Sequence, residues 1–291
     1  MSAQKSYYYE RSLKSDAADE LINTYILRPV AGFLVRILYS TPVTPNQLTL
    51  AAIAFGVLAA VLYAFNDANA TVYAGLSLAL KDFLDSADGQ LARAKQLYSR
   101  AGRFLDSIGD ILVSFLVFIA ITWALTVATH KLYIPVLGFL GFLGISLRVS
   151  YHVFYHVAYL HTRNSYSQNR LIEEIREEDR VGDRLTLRLQ SLYLILYGWQ
   201  DRLMLRIDTW CRDGAGNSPE VDERWYGDPT GLRLSGFIGI GTELFVLMVC
   251  SVAGALELYL WINLLVMNAV WAGCVVYRRY GLAPRIRQGF K

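Results

Sequence analysis

The chain has 291 residues, is 54% apolar and carries a formal net charge of only +3. That composition, with its positive mean hydropathy, excludes an ordinary soluble domain of this length. No basic run is interleaved with aromatics, which argues against nucleic acid as a partner. Cys211, Cys250 and Cys274 lack metal-ligand spacing and read as small packing residues.

Residues 1–47 are polar to amphipathic, with no signal-peptide-like apolar core. Between residues 17 and 38, Leu21, Ile22, Tyr25, Ile26, Val30, Phe33, Leu34 and Ile37 recur at helical spacing around Arg28 and Arg36. Pro29 interrupts the run, which is too short of apolar residues to cross a bilayer. It predicts an amphipathic helix in the headgroup plane, or one packed on the cytosolic face. A turn at Thr41, Pro42 and Pro45 leads into a first span, residues 48–65, with Asn46 and Thr49 at its mouth. Helix capping alone would account for those two. A second span begins near Thr71, stays apolar to Leu80, and runs on through Lys81 and Asp82 into an acid-rich bend. The third continues through residues 111–128, and His130 and Lys131 turn the chain into a fourth, 132–160. Gly138, Gly141 and Gly144 mark a smooth face for close helix packing or a dimer contact.

Residues 161–233 form one large extramembrane segment. Its part from 167 to 188 is charged and helical in pattern, 189–199 is apolar but too short to cross, and 213–231 reads as a Gly/Pro/Asp-rich loop. Two more spans, 234–255 and 258–277, precede a basic tail with Arg278, Arg279, Arg285, Arg287 and Lys291. The chain thus divides into 1–47, 48–160, 161–233, 234–278 and 279–291, an all-α integral membrane protein of six spans. Nearly every Lys and Arg then falls on one side, and the opposite turns hold only Lys131. By the positive-inside rule that side, with both termini and the acidic bend, is cytoplasmic.

Residues 85–110 organise the rest. Asp85 and Asp88 are three apart, and Asp106 and Asp110 four apart, so each pair projects from one helix face. Folding the segment back near residues 97–99 sets Asp85 beside Asp110 and Asp88 beside Asp106. Four like charges at one depth need compensation. Hard carboxylate oxygens select Mg²⁺, Mn²⁺ or Ca²⁺ over zinc, and two such ions about 3.5–4 Å apart form a clamp for displacement at phosphorus. A solvated surface face is the plain alternative, disfavoured by the apolar flanks. Gly89 and Gly102 either let a nucleotide approach the helix backbone or serve tight helix packing.

The full spacing, D-x2-D-G-x2-A-R-x8-G-x3-D-x3-D, is filled by Asp85, Asp88, Gly89, Ala92, Arg93, Gly102, Asp106 and Asp110. Over these positions the chain resembles the CDP-alcohol phosphotransferase family of phospholipid-forming membrane enzymes. The resemblance covers roughly 40–160 and 234–278. It implies six membrane helices, a CDP-linked donor such as CDP-diacylglycerol, a small alcohol acceptor, and two divalent cations, Mg²⁺ or Mn²⁺, on the four aspartates. It also implies a donor site at Gly89, Ala92, Arg93, Gly102, Asn46 and Thr49, with Arg93 contacting phosphate. The last aspartate, Asp110, takes the part of general base for the acceptor hydroxyl.

The acceptor side is written less clearly. Arg148, His152 and His156 form a polar stripe on the fourth span, flanked by Tyr151, Tyr155 and Tyr159. Arg148, beside His152 on the acceptor side, reads equally as a residue that holds a phosphate-bearing acceptor or the donor, or as a structural partner of Glu243. Asn263 and Asn268 read as interhelical glue. The motif does not separate this reaction from transfer of a CDP-aminoalcohol headgroup to diacylglycerol. An ion-coupled transporter would spread charges through the membrane depth, and a catalytically dead scaffold would have lost a metal ligand. Neither pattern is present.

Overall fold

A computed structural model describes residues 9–12, 20, 22–163, 170–212, 214–216 and 218–288. Leu21, the residues between 164 and 169, Asp213 and Lys291, all named above, lie outside the described residues. The described chain is helical and contains no strand. Its elements are α1 (Tyr9–Ser12), α2 (Arg28–Leu38), α3 (Pro45–Ala64), α4 (Ala68–Lys95), α5 (Arg100–Thr129), α6 (Ile134–Thr162) and α7 (Glu177–Val181). They continue with α8 (Arg184–Arg212), α9 (Pro219–Tyr226), α10 (Pro229–Gly236), α11 (Ile240–Val252), α12 (Leu256–Trp261), α13 (Asn268–Val276) and α14 (Ala283–Gln288). A π-helical turn, Asn23–Leu27, precedes α2, and two more, Ile262–Met267 and Tyr277–Leu282, join α12, α13 and α14 into one run.

Five helical stretches are long and apolar enough to cross a membrane: Pro45–Ala64, Arg100–Thr129, Ile134–Thr162, Pro229–Val252 and Leu256–Gln288. The chain is therefore a multi-pass membrane protein. The fold differs from the sequence expectation in three places. First, α4 carries too many charges over its second half to join that set, although it runs unbroken for 28 residues. Second, the stretch 213–231 is mostly helical: Ser218 and Asp228 accept from Val221 N and Gly231 N, starting α9 and α10, each with proline in its first turn. Third, the basic tail continues the last helix to Gln288, because two π turns carry the helical run past Tyr277.

Caps and turns at the helix ends follow local chemistry. Thr44 and Gln47 form a capping box at the start of α3, so Asn46 and Thr49 do not supply that cap. Gln96 and His130, at φ 58° and 55°, end α4 and α5 in the left-handed region. Small residues then let the helices close. A Cβ on Gly56 would lie 2.5 Å from Val113, and one on Gly109 2.4 Å from Ile53, so α3 and α5 meet at near-backbone distance. Gly138, Gly141 and Gly144 are likewise covered from inside the chain, by Thr122, Phe118 and the Arg148–Asn268 pair. The three cysteines are free and buried. One buried apolar cluster, including Tyr63, Leu78, Val117, Ile121 and Tyr259, fills the part of the bundle remote from the acids. A second joins α6, α8, α9 and the last run through Tyr155, Met204, Trp225 and Leu282. Between them the acidic ends of α4 and α5 are left facing a cavity.

Candidate active site

The α4–α5 hairpin positions the acids. Asp85 and Asp88 lie on α4 upstream of the Gln96 turn. On the other arm, Ser99 accepts from Gly102 N at 2.9 Å and starts α5, carrying Asp106 and Asp110. One carboxylate oxygen from each of Asp85, Asp88 and Asp106 lies within 4.8 Å of the others. Asp110 takes a different partner: the buried Lys81, one turn before Asp85, donates to Asp110 Oδ1 and sits 3.9 Å from Asp85 Oδ1. The four acids thus divide into a cage of three and a fourth held by an ammonium. As a donor set, three hard oxygens converging at this separation fit a divalent cation such as Mg²⁺ or Mn²⁺.

The acids open onto a cavity of about 450 Å³. Asn46, Thr49, Gly89, Ala92, Arg93 and Gly102 all line it, as do Asp110 and the three cage acids. Thr49 is buried and donates to Asp88 Oδ2, fixing that carboxylate from α3. Arg93 donates from Nε to the Ser12 carbonyl at 2.6 Å, which ties α1 to the cavity wall. The two glycines differ. A Cβ on Gly102 would stand 2.5 Å from Asn46 Oδ1, so that glycine is required by its neighbours. A Cβ on Gly89 would meet only the Arg93 guanidinium, at 3.4 Å, so the helix packing leaves Gly89 free to be larger. What remains is the space in front of it.

On the acceptor-side stripe, His152 and His156 line the cavity. Arg148, expected beside them, is absent from the lining; it is fully buried and bonded to Glu243 Oε2 at 2.9 Å, Asn268 Oδ1 at 2.7 Å and the Asn263 carbonyl at 3.1 Å. Tyr259 and Asn263 donate to the other Glu243 oxygen, extending this buried polar network.

Sequence reasoning left one cavity wall unread. Arg170, Leu171, Tyr193, Tyr197 and Asp201 reach the site from the segment between α6 and α9. That segment is anchored by two buried acids. Glu173 accepts from Arg100 at 2.8 Å and Arg103 at 2.5 Å, while Asp179 accepts from Arg100 and, at 2.9 Å, from Arg170. Gln190 on α8 donates to both, at 2.9 and 3.1 Å. Burial opposes the Asp179 charge, yet bonds from Arg100, the Arg176 backbone, Arg170 and Gln190 outweigh it and hold the carboxyl well below the usual range. Tyr197 then donates to the Ser107 carbonyl at 2.8 Å and Tyr193 packs on Phe104 at 5.3 Å, seating α8 against α5 beside Asp106. Lys81 had a sequence signal, an i,i+4 relation to Asp85, but these aromatic and arginine contacts had none.

The helical bundle thus turns an acidic cage of three carboxylates toward a cavity lined from several of its helices. The chain belongs to the CDP-alcohol phosphatidyltransferase family, whose model matches residues 42–209. It is also 45% identical over 73 residues to an archaetidylinositol phosphate synthase from Pyrococcus horikoshii. Over 72 residues it is 36% identical to a bifunctional IPC transferase and DIPP synthase from Aquifex aeolicus. Each match takes in 25% of this chain, and it spans 37% of the first relative and 16% of the second.

Proposed function

We propose that this protein moves a phosphatidyl group from CDP-diacylglycerol to a small alcohol and releases CMP. The observation that carries this reading is the convergence of Asp85, Asp88 and Asp106 on a cavity that also contains Gly89, with room in front of it. Asp85, Asp88 and Asp106 would hold Mg²⁺ or Mn²⁺, and Asp110, one turn on from Asp106, would be the further carboxylate for a second ion. Bound there, the cations supply neutralisation of the charge that gathers on a pyrophosphate as it is split.

The protein's own groups do the rest. Thr49 steadies Asp88, Gly89 and Ala92 leave room for the nucleotide, and Arg93 offers its guanidinium to phosphate. Asn46 and Gly102 shape the floor below. Asp110, which accepts from Lys81 and lies outside the cage of three, would take the acceptor's hydroxyl proton. His152 lies on the acceptor side, and Arg148 belongs to the bundle's internal scaffold. The first relative's name, an archaetidylinositol phosphate synthase, favours a phosphate-bearing acceptor, and three arginines reach the same wall: Arg100, Arg103 and Arg170.

In the membrane, α4 is the sixth crossing helix, its charged half stabilised by the site it builds. The amphipathic α2 and the π turn before it lie in the headgroup plane, where the exposed Tyr25, Val30, Phe33 and Ile37 would face lipid. The acids and both termini face the cytoplasm, and a homodimer is compatible with the remaining lipid-facing surface. The deciding experiment is CMP release by detergent-purified protein with Mg²⁺ or Mn²⁺ and CDP-diacylglycerol. The acceptor panel is inositol phosphate, glycerol 3-phosphate, serine, inositol and choline, with a CDP-aminoalcohol plus diacylglycerol as the opposite arrangement. Asp110→Asn should abolish turnover while donor binding persists. A variant that keeps most of its activity removes Asp110 from the role of base.

A further inference from the structure

The helix that closes the cavity has a second face. We propose that the outward side of α8 binds anionic phospholipid in the leaflet bordering the site. Arg184, Arg188, Arg202 and Arg206 fall within an arc of roughly 40° at 100° per residue, and all four are exposed. Ile195 lies on the same arc, Trp199 about 20° and Leu192 and Trp210 about 40° beyond it at 100° per residue, and their exposures are 73%, 43%, 41% and 51%. No acid is exposed anywhere on α8. None of the four arginines forms an ion pair among the described residues, whereas Asp201 and Asp208 face inward, to the cavity and to Trp225.

Depth identifies what covers this face. Gln200, in the middle of α8, accepts from Ser146 and Ser150 of α6 at 3.1 and 2.7 Å. Those serines lie roughly 18–24 Å inside the end of α6, at 1.5 Å per residue. That helix is 29 residues long against the roughly 20 a bilayer core needs. At its other end, α8 meets the final run, where the Cys211 thiol faces the Val275 carbonyl at 3.8 Å. So α8 packs on two crossing helices, and in a bilayer its outward apolar side chains would meet acyl chains below the headgroups. Tryptophans at such a boundary and arginines reaching up to phosphates are the usual arrangement of an interfacial helix. A second copy of this chain would set arginines against arginines, and a zwitterionic surface offers them no net counter-charge. Anionic lipid satisfies both halves of the face. The inference does not rest on the transferase reading.

The test uses the full chain in nanodiscs of phosphatidylcholine, alone or with phosphatidylglycerol. It compares the native protein with a variant carrying Arg184→Gln, Arg188→Gln, Arg202→Gln and Arg206→Gln. Each arginine near an anionic surface contributes roughly fivefold, so retained phosphatidylglycerol, measured by native mass spectrometry, should fall at least tenfold. Retained phosphatidylcholine should stay unchanged. Brominated lipid should quench a fluorescence component that Trp199→Phe removes. Lysine at the four positions should keep the preference, and two double variants, Arg184/Arg188 and Arg202/Arg206, serve if the quadruple one fails to fold. Undiminished preference in the glutamine variants overturns the proposal. So does an unquenched Trp199, competition by inorganic phosphate, or loss of a dimer in place of loss of lipid.

Discussion

Two constellations of buried charge sit in one bundle and have opposite characters. Around Arg148, one cation meets one acid, and Asn263, Asn268 and Tyr259 add hydrogen bonds without lining the acid cavity. At the α4–α5 hairpin, Asp85, Asp88, Asp106 and Asp110 face a cavity, and Lys81 pairs with only two of them, Asp85 and Asp110. Charge that is matched and enclosed serves the fold. Charge in excess, aimed into a space, is held for something that arrives later. Removing one member from each should therefore have different consequences.

The largest expected effect is on the excess side. Asp106→Asn should lower kcat/KM by about a thousandfold, because metal-supplied neutralisation is worth several kcal/mol. Its melting temperature in chelator should equal or exceed that of the native protein, since like-charge repulsion is relieved. The stabilisation of the native protein by Mn²⁺ should disappear. A variant that melts early in chelator would place Asp106 on the structural side.

Next comes the matched side. Glu243→Gln leaves Arg148 buried without a counter-charge and should cost about 3–5 kcal/mol of stability. Combining it with Arg148→Met should recover most of that loss, as measured by denaturation in detergent. An isolated activity defect in a stable Glu243→Gln protein would erase the distinction.

The glycines sharpen it further. Gly89→Ala should leave stability unchanged or raised by up to about 1 kcal/mol, as glycine is a poor helix former, yet reduce turnover roughly tenfold by entering the space for the donor. Gly138→Ala should do the reverse, because its Cβ would come within 1.9 Å of Thr122 Oγ1.

The smallest effect concerns the anchor of the segment between α6 and α9. The Asp179 carboxyl is depressed in the folded state, so its contribution is complete above its unfolded value of about 3.9 and fades as pH falls below that. Asp179→Asn should remove this acid sensitivity, read as limited proteolysis around α7 between about pH 5 and 3.

The sequence exposed the cage because helix periodicity is local: acids three and four apart must share a face, and a hairpin must bring the pairs together. It exposed the crossing helices for the same reason, through continuous apolar runs. It did not disclose which acid would stand apart, because that depends on the reach of Lys81 across two helices. Nor did it place Tyr193, Tyr197 and Arg170 on the cavity wall. Their positions follow from Glu173, Asp179 and Gln190 drawing a distant segment onto α5, and such contacts leave no periodic trace. The short apolar stretch 189–199 was legible as too brief to cross, but helix α8 extends well beyond it because the flanking arginines are good helix formers with solvent or headgroups to face.

The last helical run contains two wide turns, Ile262–Met267 and Tyr277–Leu282. Each works as a phase shift, since a π turn accommodates a residue that a regular helix would not. Asn263 and Arg278 both reach the interior, the latter with its guanidinium 3.6 Å from the centre of the Tyr155 ring. Deleting one residue in the first turn would rotate everything downstream by roughly 100° and swing Arg278 out toward lipid. The inward facing of this terminal helix is thus set by a surplus residue, which makes the wide turn a timing mark in the chain.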